Sequence, residues 1–247
     1  IIGEAYWRRH GTRLEPELAA SADIVLANST RFAAELQPYN PHTYPIETGV
    51  NLELYNPAKK YETPGDMQDI PRPIIGYMGT INSTRLDGEL LYQIISQRPD
   101  YSFVFTGPED DIFRRNRIHS LKNAYFTGQK KVDELPAYIA AYDVCINPQM
   151  VNEITDGNYP LKIDEYLAMG KPTVATSTHT MRNIFAGHTH LAINPEEWLA
   201  AIDRAVTEAD DKELAKQRIA FAETHSWGHS VKKIYDIIDK FLKERTT

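Results

Sequence analysis

The sequence predicts an α/β protein built on a parallel sheet flanked by helices. Three observations lead there. Between Pro73 and Ile193, short apolar runs alternate with helical stretches of roughly ten residues, the pattern of βαβ units. Three of these runs close on a glycine (Gly79, Gly107 and Gly128), which suits a tight exit from the end of a strand. The stretch Asn158–Thr176 reads as a helix followed by a strand. Pro160 fits the first helical turn, Gly170 fits the position just past the helix end, Pro172 forbids continuation, and Thr173–Thr176 reads as a short strand.

In chain order, residues from about Glu4 to Ala20 read as a helix, with Glu15 and Glu17 flanking Leu14 and Leu18. Asp23–Asn28 is a compact apolar run, so a buried strand. Ser29 is a good N-cap for a helix through Leu36, which Pro38 and Pro41 end. Thr43–Glu47 reads as another strand and Thr48–Asn51 as a turn. Asn56–Pro73 carries Pro57, Pro64, Pro71, Pro73, Gly65 and many charges, and reads as a linker or long surface loop. Alternation then becomes regular. Strands are expected at Pro73–Gly79, Tyr101–Gly107, Asn123–Gly128, Asp143–Pro148, Thr173–Thr176 and His190–Ile193. Helices are expected at Arg85–Gln97, Asp110–Leu121, Val132–Tyr142, Glu196–Glu208, Asp210–Glu223 and Ser230–Lys243.

The totals exclude some functions. The chain has 247 residues and a formal net charge of −7, so no general attraction to nucleic acid or to an anionic membrane is expected. An anionic ligand needs a local basic patch. The single cysteine, Cys145, lies in an apolar run and reads as a buried small residue rather than a nucleophile. That suits a reducing compartment. No apolar run approaches the roughly 20 residues of a membrane span, and no secretory signal is visible. The chain begins with Ile1, not Met, and is read as part of something longer.

One residue breaks the local rules. Lys162 sits in a first helical turn, where the macrodipole already places about half a positive charge and acidic residues are favoured. A cation there makes sense if the helix end, its free N–H groups and the ammonium converge on a phosphate-like anion. Glu165 comes one turn on, where a carboxylate could accept hydrogen bonds from a pair of hydroxyls such as a ribose. A surface Lys–Glu pair worth a few tenths of a kcal/mol would explain the same spacing. Gly79–Arg85 leaves a strand and enters a helix, so its N–H groups and the forked guanidinium of Arg85 could cradle a second phosphate; a solvated Arg85 beside Asp87 is the plainer alternative. The dinucleotide glycine fingerprint, the Walker A motif, a metal-spaced His/Cys cluster and the hydrolase nucleophile elbow are all missing.

These pieces, taken in order, carry a resemblance. Tyr159–Ala175 (Tyr-Pro-Leu-Lys-Ile-Asp-Glu-Tyr-Leu-Ala-Met-Gly-Lys-Pro-Thr-Val-Ala) resembles the donor-site signature of retaining glycosyltransferases of family four. Ala22–Ser29 is similar to that family's A-D-x-V-x-x-x-S strand. Thr48–Asn51 is similar to its N-G-V-D turn, with Tyr55–Pro57 at the family's usual distance beyond it. Ile75–Gly79, Tyr125–Gly128 with Leu135, Pro136 and Tyr138, and Asp143–Pro148 also match in order. The resemblance implies the GT-B fold, two Rossmann-like domains across a cleft. Residues 1–45 would be the tail of an amino-terminal acceptor domain, 46–226 the nucleotide-sugar-binding domain, and 227–247 a helix crossing back, with Trp227 at its start.

The resemblance further implies glycosyl transfer with retention from a nucleoside-diphosphate sugar, without a resident cofactor or metal. Arg85 and Lys162 would be the catalytic cations, holding the diphosphate as the leaving phosphate gains charge. The donor site would comprise Gly79, Thr80, Arg85, Gly128, Gln129, Lys130, Asp156, Tyr159, Leu161, Lys162 and Glu165, with Glu165 on the ribose and the backbone of Gly128–Lys130 facing the base. The family carries a Glu eight positions before Glu165; here that position is Gly157, with Asp156 beside it and Glu153 upstream, and Asp156 is the candidate for the sugar contact. The acceptor, a glycan or lipid-linked hydroxyl, would sit on the amino-terminal domain. That points to bacterial polysaccharide assembly in the cytoplasm, with room for peripheral association at the inner membrane face. The competing readings are a sugar-nucleotide epimerase of the same architecture and a non-catalytic nucleotide-binding module.

Overall fold

The computed structural model describes residues 5–152 and 155–246. The chain opens with α1 (Ala5–Ser21), β1 (Val25–Ala27), α2 (Thr30–Leu36) and β2 (Thr43–Pro45). The two strands pair in parallel. Ser29 caps α2 as its sequence predicts, its hydroxyl accepting from the Phe32 N–H at 3.2 Å. Asn40 ties this unit together. Its amide donates to the carbonyls of Ala19 and Ala22 at 2.9 and 2.7 Å.

The main sheet has six strands: β3 (Ile74–Met78), β4 (Ser102–Thr106), β5 (Ala124–Gly128), β6 (Val144–Asn147), β7 (Thr173–Thr176) and β8 (His190–Ala192). All pairings are parallel, in the order β5-β4-β3-β6-β7-β8. The chain runs outward from β3 through β5, then returns to add β6 on β3's other side. The order therefore reverses between β3 and β6, and a crevice opens there at the carboxyl ends of both strands.

Helices cover both faces, which is why the strands read as near-continuous apolar runs. Ile75, Tyr77, Phe103, Phe105, Val144, Ile146 and Val174 share one hydrophobic cluster with α3 (Gly88–Gln97) and α6 (Pro195–Thr207). Ile74, Met78, Val104, Cys145 and Ala175 share the other with α4 (Leu135–Ala141), α5 (Leu161–Ala168) and α7 (Lys212–Thr224). Cys145 is fully buried, and burial pushes its thiol well above the ordinary range. Each large side chain buried this way stabilises the fold by about 1.5–3 kcal/mol before ordering costs.

Several expected boundaries move. The helix expected from Arg85 starts only at Gly88, because residues 82–85 form a turn and Asp87 caps the helix, accepting from Leu90 N–H at 2.9 Å. Asp110–Leu121 is not one helix but two 3-10 turns, Phe113–Arg115 and Arg117–Ser120. Asp110 accepts from the backbone of Ser83 and Phe113, and Asn116 accepts from Ile118, so side chains compete with the helical ladder. The expected helix from Val132 shortens to α4. Met181–Phe185 forms a π-helical turn that no sequence signal announces. Residues 56–73 are irregular as expected, yet they are not a free linker. Met67 is 1% exposed, and Asp66 reaches the Lys130 ammonium at 2.6 Å and the Tyr138 hydroxyl at 2.8 Å.

The last helix, α8 (Trp227–Thr246), runs back to the opening unit. Val50 bridges Ser226 in parallel, and Val50 N–H donates to the His225 carbonyl at 2.8 Å. Lys233 pairs with Glu47 at 2.9 Å, Phe241 packs edge-on against His42, and Arg245 pairs with Asp23 at 2.6 Å. At Gly49 a side chain would collide with the backbone of Trp227, 2.2 Å from where its Cβ would stand.

Gly76 offers a stability test inside the sheet. A Cβ there would stand 2.2 Å from the ring of Tyr142, whose hydroxyl lies 2.6 Å from that of Thr106 and cannot swing away freely. Gly76→Ala should lower stability by about 1–3 kcal/mol through overpacking. Urea titration should show an earlier midpoint with an unchanged slope.

Candidate active site

The crevice is built around one lysine. Gly79 ends β3 with φ +131°, and its N–H donates to the Thr106 carbonyl at 2.9 Å. Lys162, in the first turn of α5, lays its ammonium against Gly79; a Cβ at 79 would lie 2.8 Å from Nζ. The ammonium donates to the Tyr77 hydroxyl at 2.7 Å and stands 4.1 Å from the centre of its ring. The Tyr77 hydroxyl in turn donates to the carbonyl of exposed Thr80 at 3.0 Å. Pro160 takes the cap position of α5, one residue earlier than expected, and no side chain caps the helix start. Leu161, half-buried, opens the helix. The open helix start, the dipole and the ammonium gather positive charge at one point, which is the chemistry that suits an anion.

Arg85 lies on the turn between β3 and α3, not on a helix. The loop after β6 pins it. Met150 N–H donates to the Arg85 carbonyl at 2.8 Å, Leu86 bridges Gln149, and Asn152 donates to the Thr84 carbonyl at 3.2 Å. The guanidinium itself is exposed, with no side-chain partner among the described residues.

The three glycine exits meet as a rim. A Cβ at Gly107 would stand 2.0 Å from the Gly79 carbonyl oxygen, and Gly107 N–H donates to the Gly128 carbonyl at 2.9 Å. Gly128 has φ +70° and open space around it, with Gln129 exposed beside it. The Lys130 side chain is held by Asp66, so this residue offers the crevice its backbone rather than its ammonium.

Three neighbouring residues of α5 and its approach divide their roles. Glu165 is part-buried. Burial pushes its carboxyl above the ordinary range, while a hydrogen bond from Tyr55 and the Lys162 charge pull it down. Tyr159 turns inward, and its hydroxyl donates to Asp164 at 2.6 Å, so it braces the helix rather than presenting a hydroxyl to a ligand. Asp164 is fully buried, with its other oxygen 3.6 Å from His225 Nδ1. Burial, aided by the Glu165 charge and opposed by the Tyr159 bond, raises its carboxyl to about 8.

Asp156 lies between β6 and α5. It accepts from His179 N–H at 2.8 Å and stands 3.9 Å from the Arg31 guanidinium of α2. Arg31 also pairs with Glu35 at 2.9 Å, and its Cδ would be 2.7 Å from a Cβ at Gly157. An open hollow of about 530 Å³ lies here, lined by Thr30, Arg31, Ala34, Glu35 and His179. Glu153 lies outside the described residues. Nothing in the sequence marks Tyr77, which looks like one more apolar strand residue, or Asp66, which looks like linker. Tyr55 sits within a recognised segment but gives no sign of reaching Glu165.

A doubly wound sheet with a lysine-bearing helix start at its switch point defines an α/β protein of the GT-B type. The family model described as Glycosyl transferases group 1 matches residues 72–208, and the chain belongs to this family. It is 27% identical over 188 residues to a Bacillus subtilis protein, TuaH, named as a candidate glycosyltransferase of teichuronic acid biosynthesis. The match takes in 74% of this chain and 47% of that relative, so the chain spans about half its length. Among solved structures, Anabaena HepE in complex with UDP and glucose matches with TM-score 0.72 at 17% identity, over 92% of this chain and 66% of that one. Sucrose-phosphate synthase from Thermosynechococcus elongatus matches with TM-score 0.71 at 20% identity, over 98% and 65%.

Asp164 makes a pH test. Its carboxyl is raised from 3.8 in the unfolded chain to about 8 in the fold. Between those values the folded chain binds more protons than the unfolded one, so this group's contribution to stability falls as pH rises. His225, lowered by burial, works in the opposite sense and is common to both proteins compared. Asp164→Asn should therefore lose less stability than the wild type between pH 5 and pH 8, read as the difference between their melting curves. Parallel pH dependences would contradict the assignment.

Proposed function

We propose that this chain is the donor-binding half of a retaining glycosyltransferase that moves a sugar from a nucleoside-diphosphate sugar to a hydroxyl acceptor. The observation that carries this is the Lys162 ammonium at the uncapped start of α5, resting on Gly79 at the switch point. In this reading Lys162, Arg85 and the first N–H groups of α5 bind the diphosphate. They stabilise the leaving phosphate as its negative charge grows, a preorganised electrostatic effect in a site that need not reorganise. Glu165 accepts from the ribose hydroxyls, and the backbone of Gly128–Lys130 meets the base. The leaving phosphate takes the proton of the incoming hydroxyl on the same face, which gives retention. Lys162 and Arg85 supply the positive charge a divalent ion would otherwise bring, so this reading calls for no metal.

Residues 1–45 then close an acceptor-side domain, 46–226 form the donor domain, and 227–247 cross back to brace the first. The acceptor is a glycan or lipid-linked hydroxyl held by the acceptor-side domain. The name of TuaH supports a role in bacterial cell-wall polymer or polysaccharide assembly. The UDP complexes of HepE support a uridine nucleotide as the first donor to try. Among the described residues no helix is long and apolar enough to cross a membrane. Work at the cytoplasmic face fits this reading.

A thermal-shift panel with UDP, GDP, ADP and CMP tests it. Ligand at a hundredfold excess over Kd should stabilise the fold by about 2.7 kcal/mol. One nucleoside diphosphate should raise Tm, and Lys162→Ala and Glu165→Ala should each abolish the shift. Arg85→Ala should weaken binding at least about tenfold, the loss of one charge-assisted hydrogen bond. No shift with any of the four at millimolar concentration would remove the reading.

A further inference from the structure

A lysine is a poor anion ligand unless its stem is held, because the side chain carries about 2 kcal/mol of rotamer entropy. Among the described residues one side chain, that of Tyr77, hydrogen-bonds Lys162. The ammonium donates one hydrogen bond to the Tyr77 hydroxyl at 2.7 Å and stands 4.1 Å from the ring centre. Tyr77 cannot yield easily. It is 2% exposed, packs against Phe105 with ring centres 6.2 Å apart, and donates its one hydroxyl proton to the Thr80 carbonyl at 3.0 Å. That donation fixes the direction of the chain. The phenolic oxygen is left as an acceptor toward Lys162, and Thr80 belongs to the turn that Gly79 opens. Gly79 completes the seat, since a Cβ there would press on Nζ at 2.8 Å. An ammonium has three donors. One is spent on Tyr77, and two remain for the oxygens of a ligand.

We propose that Tyr77 is a positioning residue: it seats the Lys162 ammonium for the phosphates of the donor and ties that seat to the Gly79–Thr80 turn. The inference rests on Lys162 being the diphosphate ligand. It differs from a simple packing role because only the hydroxyl matters, and Tyr77→Phe removes that oxygen while keeping the ring.

Calorimetric titration separates the two roles. UDP, GDP and ADP, each with its parent nucleoside, are titrated into wild type, Tyr77→Phe, Lys162→Ala and the double variant. Tyr77→Phe should bind the preferred diphosphate about tenfold more weakly, a lost hydrogen bond to a charged group, with nucleoside binding unchanged. The double variant should be no weaker than Lys162→Ala, because both substitutions remove the same interaction. Wild-type affinity in Tyr77→Phe, equal losses for diphosphate and nucleoside, or additive losses in the double variant would overturn the inference while leaving the donor-site reading intact. If the wild type binds none of the three diphosphates, both readings fall together.

Discussion

The contact between the Lys162 ammonium and the bare Cα of Gly79 is the constraint on which the rest of the crevice depends. It requires β3 and β6 to be neighbours, because Gly79 leaves one and α5 comes after the other. It requires a glycine in a backbone conformation that side chains avoid. It requires a helix start with no competing cap, so that the dipole and the ammonium act on the same point. The neighbouring glycine exits obey the same geometry. Gly107 packs on the Gly79 carbonyl and Gly128 accepts from Gly107, so the three turns form one continuous rim.

Helix α5 concentrates charge in few residues, and its surroundings treat each differently. Lys162 looks outward over Tyr77. Asp164 looks inward, where burial favours a neutral carboxylic acid even against the hydrogen bond from Tyr159. Glu165 lies between, with Tyr55 and Lys162 opposing the effect of its burial. The outcome is an outward face that can hold an anion above an inner face that carries little charge. Few hydrogen bonds suffice, because the one Lys162 donates to Tyr77 and the one Glu165 accepts from Tyr55 tie α5 to segments far away in sequence.

Much of this was legible in the sequence. Strand–helix alternation and the glycine exits predict the parallel sheet, since both come from local geometry. Lys162 stands out because a cation at a helix start opposes the dipole, and its neighbour Glu165 because of helical spacing. What was not legible depends on contacts between distant segments. Tyr77 reads as core until its hydroxyl is seen to face Lys162. The proline-rich stretch at 56–73 correctly signals irregular backbone, but no local signal reveals that Met67 and Asp66 dock it. Asp110 and Asn116 break a charged helical pattern through bonds to nearby N–H groups, which periodicity alone does not register. Tyr159 was expected to serve the ligand and instead serves Asp164, because its ring points beneath the helix.

The meeting of Arg31 with Gly157 couples two distant segments of the chain. The two residues come from separate units of the chain and share one volume, the Cδ of the first standing 2.7 Å from where a side chain on the second would begin. A side chain at 157 alone would push the Arg31 side chain off its present course beside Asp156. A change at 31 alone would leave a gap and strand Asp156 and Glu35 without their common cation. A side chain at 157 fits that volume only if the residue at 31 shortens or turns away, and either move takes the guanidinium from Asp156.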